Sequence, residues 1–194
     1  MTNNKTKYMI RISLLSAIAF VLMYFDFAIP MFPSFLKFDI SDIPALLGAF
    51  SMGPLAAVII QLLKNILYIA LKGTETGGVG PLANFLTGAA WVVPIGLYYK
   101  YKKNKRNAIV SLILGAISMI IVAALSNYFI LLPFYAQIMP LKTIIAAGAA
   151  VNDWIVDIPT LILFGITPFN ILKTTIVSIV TVLLYKKVSP ILHR

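Results

Sequence analysis

The chain has no cysteine, which excludes disulfides, thiolate nucleophiles and thiolate-bound metals. It has one histidine, His193, next to the last residue. No H-E-x-x-H metal pair and no Ser/His/Asp set can be assembled around it. No phosphate-cradling G-x-x-x-x-G-K-S/T loop is present, so the chain does not itself use ATP. Acids are scarce: Asp26, Asp39, Asp42, Glu75, Asp153 and Asp157 face 16 lysines and arginines. Asp39, Asp42, Asp153 and Asp157 are expected to be solvated or to cap helices rather than to hold a metal. These absences leave an enzyme little to work with.

What the chain has is apolar length. Of its residues 60% are hydrophobic and 11% charged, with mean hydropathy +0.95. Apolar runs long enough to cross about 30 Å of hydrocarbon recur along it. The reading is an all-α, polytopic membrane protein. A net charge of +10 would suggest nucleic acid in a soluble domain, but here the cations flank apolar runs. Lys5, Lys7 and Arg11 lie at the start, Lys100, Lys102, Lys103, Lys105 and Arg106 in the middle, and Lys186, Lys187 and Arg194 at the finish. Basic residues collect on the cytoplasmic side of membranes. Both ends and the middle loop are therefore expected on the cytoplasmic side of a cell membrane. No small-residue cleavage site follows the first apolar run, which is read as a retained span.

Parity then sets the helices. The first runs over 8–29 and exits. Pro30 and Pro33 turn the next stretch into an external loop. One long helix from Asp42 to Leu71 would place the Lys100–Arg106 cluster outside. Pro54 lacks an N–H and clashes with a preceding helical turn, so a turn at Gly53-Pro54 divides this stretch into 42–52 and 54–71. The first of these rises only about 16 Å at 1.5 Å per residue. Helices over 81–101, 107–132 and 168–186 complete six, as a single membrane domain. The helix from Asn107 is expected to stop at Pro133. Residues 134–167 are expected as an external loop or half-helices, a seventh span within 142–166 being the competing reading.

Polar residues buried in membrane helices are costly and tend to face an interior or a cavity. Asn84, Asn127, Asn170 and Lys173 fall at similar depth near the external ends of their helices, and Lys64 and Asn65 lie deeper. Singly, each asparagine is equally suited to bonding between helices. Together they point to an extracellular-side ligand pocket. Asn170 and Lys173 lie one turn apart on one helical face. An amide supplies donor and acceptor, an ammonium only donors. That pair suits a flat ligand with an alternating imide edge, such as a flavin or pyrimidine. Phe38, Phe85, Phe134 and Phe169 are placed to sandwich a ring or simply to pack. Ser13 and Ala17, small and four apart on the first helix, suit close approach of another helix.

Phe38-Asp-Ile-Ser-Asp-Ile-Pro-Ala-Leu-Leu-Gly-Ala-Phe-Ser-Met-Gly-Pro-Leu-Ala56 and Gln61-Leu-Leu-Lys-Asn65 resemble the signature of riboflavin-binding S components of energy-coupling factor transporters. Gly80-Pro-Leu-Ala-Asn-Phe-Leu-Thr-Gly88 and Thr167-Pro-Phe-Asn-Ile-Leu-Lys173 resemble that family too, in order along nearly the whole chain. The resemblance implies six helices, riboflavin as transported ligand rather than cofactor, and a pocket capped by the loop after the first helix. It implies ring-edge contacts from Asn170 and Lys173, a further contact at Asn127, and a small residue, Ala83, packed on the ring. It implies as partners one transmembrane coupling protein, docked at Ser13 and Ala17, and two cytoplasmic ATPases. The alternatives are an S component for another vitamin, such as thiamine or a pyrimidine-like compound, and a membrane-integral enzyme acting on lipids through the external aspartates.

Overall fold

A computed structural model describes residues 2–74, 77–101 and 103–192, with side chains described over 4–74, 77–101 and 103–185. Glu75, Lys102, His193 and Arg194 lie outside the described residues, as do the side chains of Lys186 and Lys187. Helix α1 spans Thr2–Tyr24, α2 Asp42–Met52, α3 Pro54–Lys72, α4 Val79–Tyr101 and α5 Lys105–Ser126. After α5 come a π-helical turn, Asn127–Leu131, and the short α6, Leu132–Tyr135. The chain continues through α7 (Leu141–Ala149), α8 (Ile158–Leu161), a second π-helical turn (Ile162–Ile166) and α9 (Thr167–Leu192). Among the described residues five helical stretches are long and apolar enough to cross a membrane: Asn4–Tyr24, Pro54–Lys72, Val79–Tyr101, Lys105–Tyr135 and Ile158–Tyr185.

The sixth expected helix is α2, and its character differs from the others. It has 11 residues, and every one from Asp42 to Phe50 is buried. A helix apolar all round must be enclosed all round. Helix α2 packs against α1, α3, α4 and α9 and so forms the hub of the bundle. Its break falls at Gly53, whose φ of +93° suits glycine. Pro54 then opens α3, where a missing N–H costs nothing. The joint is tight, because a Cβ on Gly96 of α4 would lie 2.6 Å from the Pro54 nitrogen.

Three helix ends differ from the sequence reading. The first helix stops at Tyr24, not near residue 29. Phe27–Ala28 (β1) pairs antiparallel with Lys37–Phe38 (β2), drawing the chain into a small ladder. Asp26 is held by Lys72 at 2.6 Å and by the Tyr68 hydroxyl at 2.9 Å, both on α3. The fifth helix does not stop at Pro133, nor does the last begin at Pro168. Each proline instead comes just after a π-helical turn. The Leu132 N–H reaches back to Asn127 O and the Thr167 N–H to Ile162 O. Widening the turn accommodates a proline ring that would otherwise clash with the carbonyl four residues earlier. The last helical stretch starts at Asp157, which caps α8 by a reciprocal pair of bonds with Thr160. Those bonds hold the exposed Asp157 carboxyl below its ordinary range. Because the folded form is the more acidic, the cap is intact above the ordinary carboxylate range and is lost only as pH falls through the lowered value.

Between these ends, α7 has nine residues and is no span. A small second core joins Leu132, Ile144, Ile155, Leu161, Ile162 and Ile166, with Phe35 and Leu36 of the first loop packed against it. The outer surface is rich in exposed Met, Ile, Leu, Val and Phe, including Met9, Ile10, Leu14, Ile113, Ile117, Ile121 and Ile179. Such a perimeter calls for lipid rather than water.

Candidate functional site

The end of the bundle away from the Lys100–Arg106 loop holds a buried cluster of charge. Asp42 opens α2. Lys64 lies in the later half of α3, and Lys173 sits two turns into α9. Lys64 Nζ is 2.6 Å from Asp42 Oδ1 and donates to Ser41 Oγ at 2.9 Å. Lys173 Nζ is 3.0 Å from Asp42 Oδ2 and 3.1 Å from Asp39 Oδ2. None of these four side chains is more than 5% exposed. Two ammoniums and two carboxylates balance, as burial demands. Asp39 and Asp42 are thus neither solvated nor simple caps. Their partners are distant in sequence, Lys173 standing 134 positions after Asp39. Asp39 does retain one local bond, accepting from the Ser41 amide at 2.8 Å.

A run of amides extends the cluster into α3 and α4. Gln61 Nε2 donates to Asp42 Oδ1 at 2.9 Å. Asn65 Nδ2 donates to Gln61 O at 2.8 Å and to Asn84 Oδ1 at 3.3 Å. Gln61 fits because Gly88 of α4 lacks a side chain; a Cβ there would lie 2.6 Å from the Gln61 amide carbon. Gln61 Oε1 and Asn65 Oδ1 are buried acceptors without a partner among the described residues. Most buried polar atoms are paired, so two adjacent orphans mark a place that can receive donors.

The expected site residues are partly brought together. Lys173 and Asn84 belong to one network. Asn170 is buried one turn before Lys173, and its Nδ2 donates to Ile166 O at 2.8 Å. Phe38 is buried beside Asp39 and meets Phe27 with ring centroids 5.6 Å apart. Phe169 meets Phe32 edge-on at 5.4 Å. Ala83 lies one residue before Asn84, and its carbonyl accepts from the Thr87 hydroxyl at 2.8 Å. Asn127 stands apart from this network among the described residues: its Nδ2 donates to Ala123 O of its own helix. Phe134 is exposed. Ser13 and Ala17 are exposed on α1, on the face opposite the buried Ile12, Leu15, Ser16 and Ala19. Gln61 is a member that the sequence reading did not place in the site, and Asp39 and Asp42 are members it expected to be solvated or capping. Gln61, Lys64, Asn65 and Tyr68 share one helical face by spacing, which was the available signal.

A cavity of about 400 Å³ lies elsewhere, between α5 and α9, lined by Ile109, Ile113, Ala116, Ser178, Ile179 and Leu183 among others. Thr174 and Thr175 border it, but their hydroxyls donate to their own helix. Apart from these and the Ser178 hydroxyl its lining is apolar, so it offers an imide edge little that is directional.

The chain matches the family model for the substrate-specific component of ECF transporters over residues 7–185. It is 41% identical over 191 residues to a riboflavin transporter, RibU, of Staphylococcus aureus, covering 98% of this chain and 94% of that protein. It is 34% identical over 187 residues to the riboflavin transporter FmnP of Bacillus subtilis, covering 96% and 94%. A solved S component of a bacterial ECF transporter superposes with a TM-score of 0.77 at 38% identity, covering 98% of this chain and 99% of that one. The fold, its lipid-facing perimeter and a match along nearly the whole chain agree: this protein belongs to the substrate-specific components of ECF transporters, membrane-embedded transport proteins rather than enzymes.

Proposed function

We propose that this chain is the high-affinity riboflavin-binding subunit of an ATP-driven vitamin importer of the cell membrane. Its termini and the Lys100–Arg106 loop lie on the cytoplasmic side. It works with a transmembrane coupling protein, docked at Ser13 and Ala17, and two cytoplasmic ATPases, which supply the nucleotide site that the sequence lacks. The carrying observation is the α9 pair. Asn170 lies one turn before a Lys173 whose charge is already balanced by Asp39 and Asp42. A neutral ring can meet such an ammonium without leaving a net charge behind. A flavin imide edge carries one N–H between two carbonyls. Asn170 Oδ1 accepts from that N–H, and Lys173 Nζ donates to a flanking carbonyl. Phe38 and Ala83 wall the ring, with Asn84 and Asn127 as further polar contacts. The relatives at 41% and 34% identity, both riboflavin transporters, support this choice of ligand.

Titrating the ligand-free protein with riboflavin tests the reading. Flavin fluorescence should be quenched to an endpoint of one ligand per chain. No quenching at micromolar concentrations rejects it. Lys173→Met removes a hydrogen bond to a charged group, worth about 1.5–3 kcal/mol. At 1.4 kcal/mol per decade, affinity should fall about ten- to a hundredfold. Unchanged affinity would remove Lys173 from the site.

A further inference from the structure

The loop between α1 and α2 is fastened to the last helical stretch by apolar contacts and by an ionic one. Phe32 meets Phe169 edge-on, and Pro33 comes close to Gly165. The ionic contact is Asp39 on Lys173 at 3.1 Å, with both side chains buried. The two carboxylates around Lys173 are not equivalent. Asp42 belongs to the hub helix and is also held by Lys64 and Gln61. Asp39 belongs to the loop, immediately after β2. If the loop lifts, Asp39 leaves with it. Two ammoniums would then share one carboxylate in a buried place, a costly arrangement.

An ammonium carries three N–H groups in tetrahedral directions. Two of those on Lys173 point at Asp39 and Asp42. The direction of the third is thereby set. With Asp42 alone, the ammonium can swing about its remaining contact. We propose that Asp39 is a positioning residue that links closure of the 25–41 loop to ligand recognition. By accepting from Lys173 it aims the remaining N–H at the ligand and latches the loop across the site. This rests on the reading of Lys173 as a ligand contact. Its signature is kinetic, because a loop that unlatches more often releases ligand more often, even where the ring contacts remain.

The test is a double-mutant cycle in four proteins: wild type, Asp39→Asn, Lys173→Met and the pair. Asparagine keeps an acceptor for the Ser41 amide, so only the ionic latch is lost. Two rates are read. The first, without ligand, is maleimide labelling of a cysteine placed at Leu36, which is partly buried when the loop is down. The second is riboflavin dissociation. Asp39→Asn should speed both by about tenfold, as expected for one charged hydrogen bond. In the Lys173→Met background it should change either rate by less than about twofold, since uncoupled variants multiply and coupled ones do not. Equal effects of Asp39→Asn in both backgrounds would overturn the proposal and assign Asp39 to the turn at Ser41. Lys173→Gln serves as the uncharged variant if Lys173→Met does not fold. Wild type that fails to bind riboflavin overturns the ligand reading and the aiming role with it. The ligand-free labelling cycle still judges the latch.

Discussion

Lys64 and Lys173 show what burial does to a single residue. An ammonium in hydrocarbon must find a carboxylate or lose its charge. Two lysines within apolar runs therefore require two acids, and Asp39 and Asp42 meet the requirement. The sequence offered both halves of this balance but not the pairing, because Asp39 and Lys173 are 134 positions apart. Gln61 shows the same dependence on a distant neighbour: its bond to Asp42 exists because Gly88 makes room. Gly88→Ala would place a Cβ within 2.7 Å of three Gln61 side-chain atoms. Gln61 must then move and give up its 2.9 Å bond. Overpacking of this kind costs about 1–3 kcal/mol. The melting temperature of the solubilised protein should fall accordingly. A variant that melts like wild type would show that Gln61 repacks freely and has no fixed place in the network.

At the scale of elements, proline had two different outcomes. Pro54 breaks the chain, as its sequence setting beside Gly53 indicated. Pro133 and Pro168 do not, because a π-helical turn before each absorbs the ring. Pro54 has a glycine before it, whereas Pro133 follows Leu132 and Pro168 follows Thr167, and nothing local in those two settings announces a π-helical turn. The outcome depends on whether packing holds the chain straight beyond the proline, as the second core does around Leu132 and Ile166. The joint between α2 and α3 also depends on α4. Gly96→Ala would bring a Cβ 2.6–2.8 Å from Pro54 N, Cα and Cδ, atoms of backbone and ring that cannot turn aside. Helix α4 must shift, at a cost of about 1–3 kcal/mol. Gly165→Ala is the contrasting case, since its Cβ would meet neighbours at 3.4–3.5 Å, ordinary contact. Relief of unfolded-chain entropy should leave it neutral or more stable by up to about 1 kcal/mol. Thermal melting of the two variants reads the difference; equal shifts would discard the close α4 contact as its cause.

The whole molecule is a sleeve of long helices around a short hub, with its buried charges gathered near one end. Its orientation is tested by cysteines, which the native chain lacks. A cysteine at Asn104 should react only with reagents that reach the cytoplasm, and one at Gln137 only from outside. Labelling of both from one side would overturn the parity that places the Lys100–Arg106 loop inside. Coupling to partners belongs to this scale too. Ser13 and Ala17 lie on the exposed face of α1, about 11–17 Å from its Tyr24 end at 1.5 Å per residue. Tryptophan at both should block docking of a coupling protein and abolish ATP-driven riboflavin uptake. Riboflavin binding to the isolated protein should stay within about threefold, since nothing at the polar network is touched. Normal transport by that double variant would make the face an ordinary lipid-facing surface.

By itself the sequence determined the class, an all-α membrane protein, because hydrocarbon thickness and the cost of buried charge act on composition and length alone. It determined the break at Gly53-Pro54 and the helical face bearing Asn170 with Lys173. Those are matters of backbone geometry and of a 3.6-residue period. Only the tertiary structure decided that α2 is an enclosed hub, that Pro133 and Pro168 sit within continuous helical stretches, and that Asp39 and Asp42 neutralise the two lysines. Each of these depends on what stands opposite across the bundle. A pair such as Asp39 and Lys173 leaves no local pattern for a period or a motif to reveal.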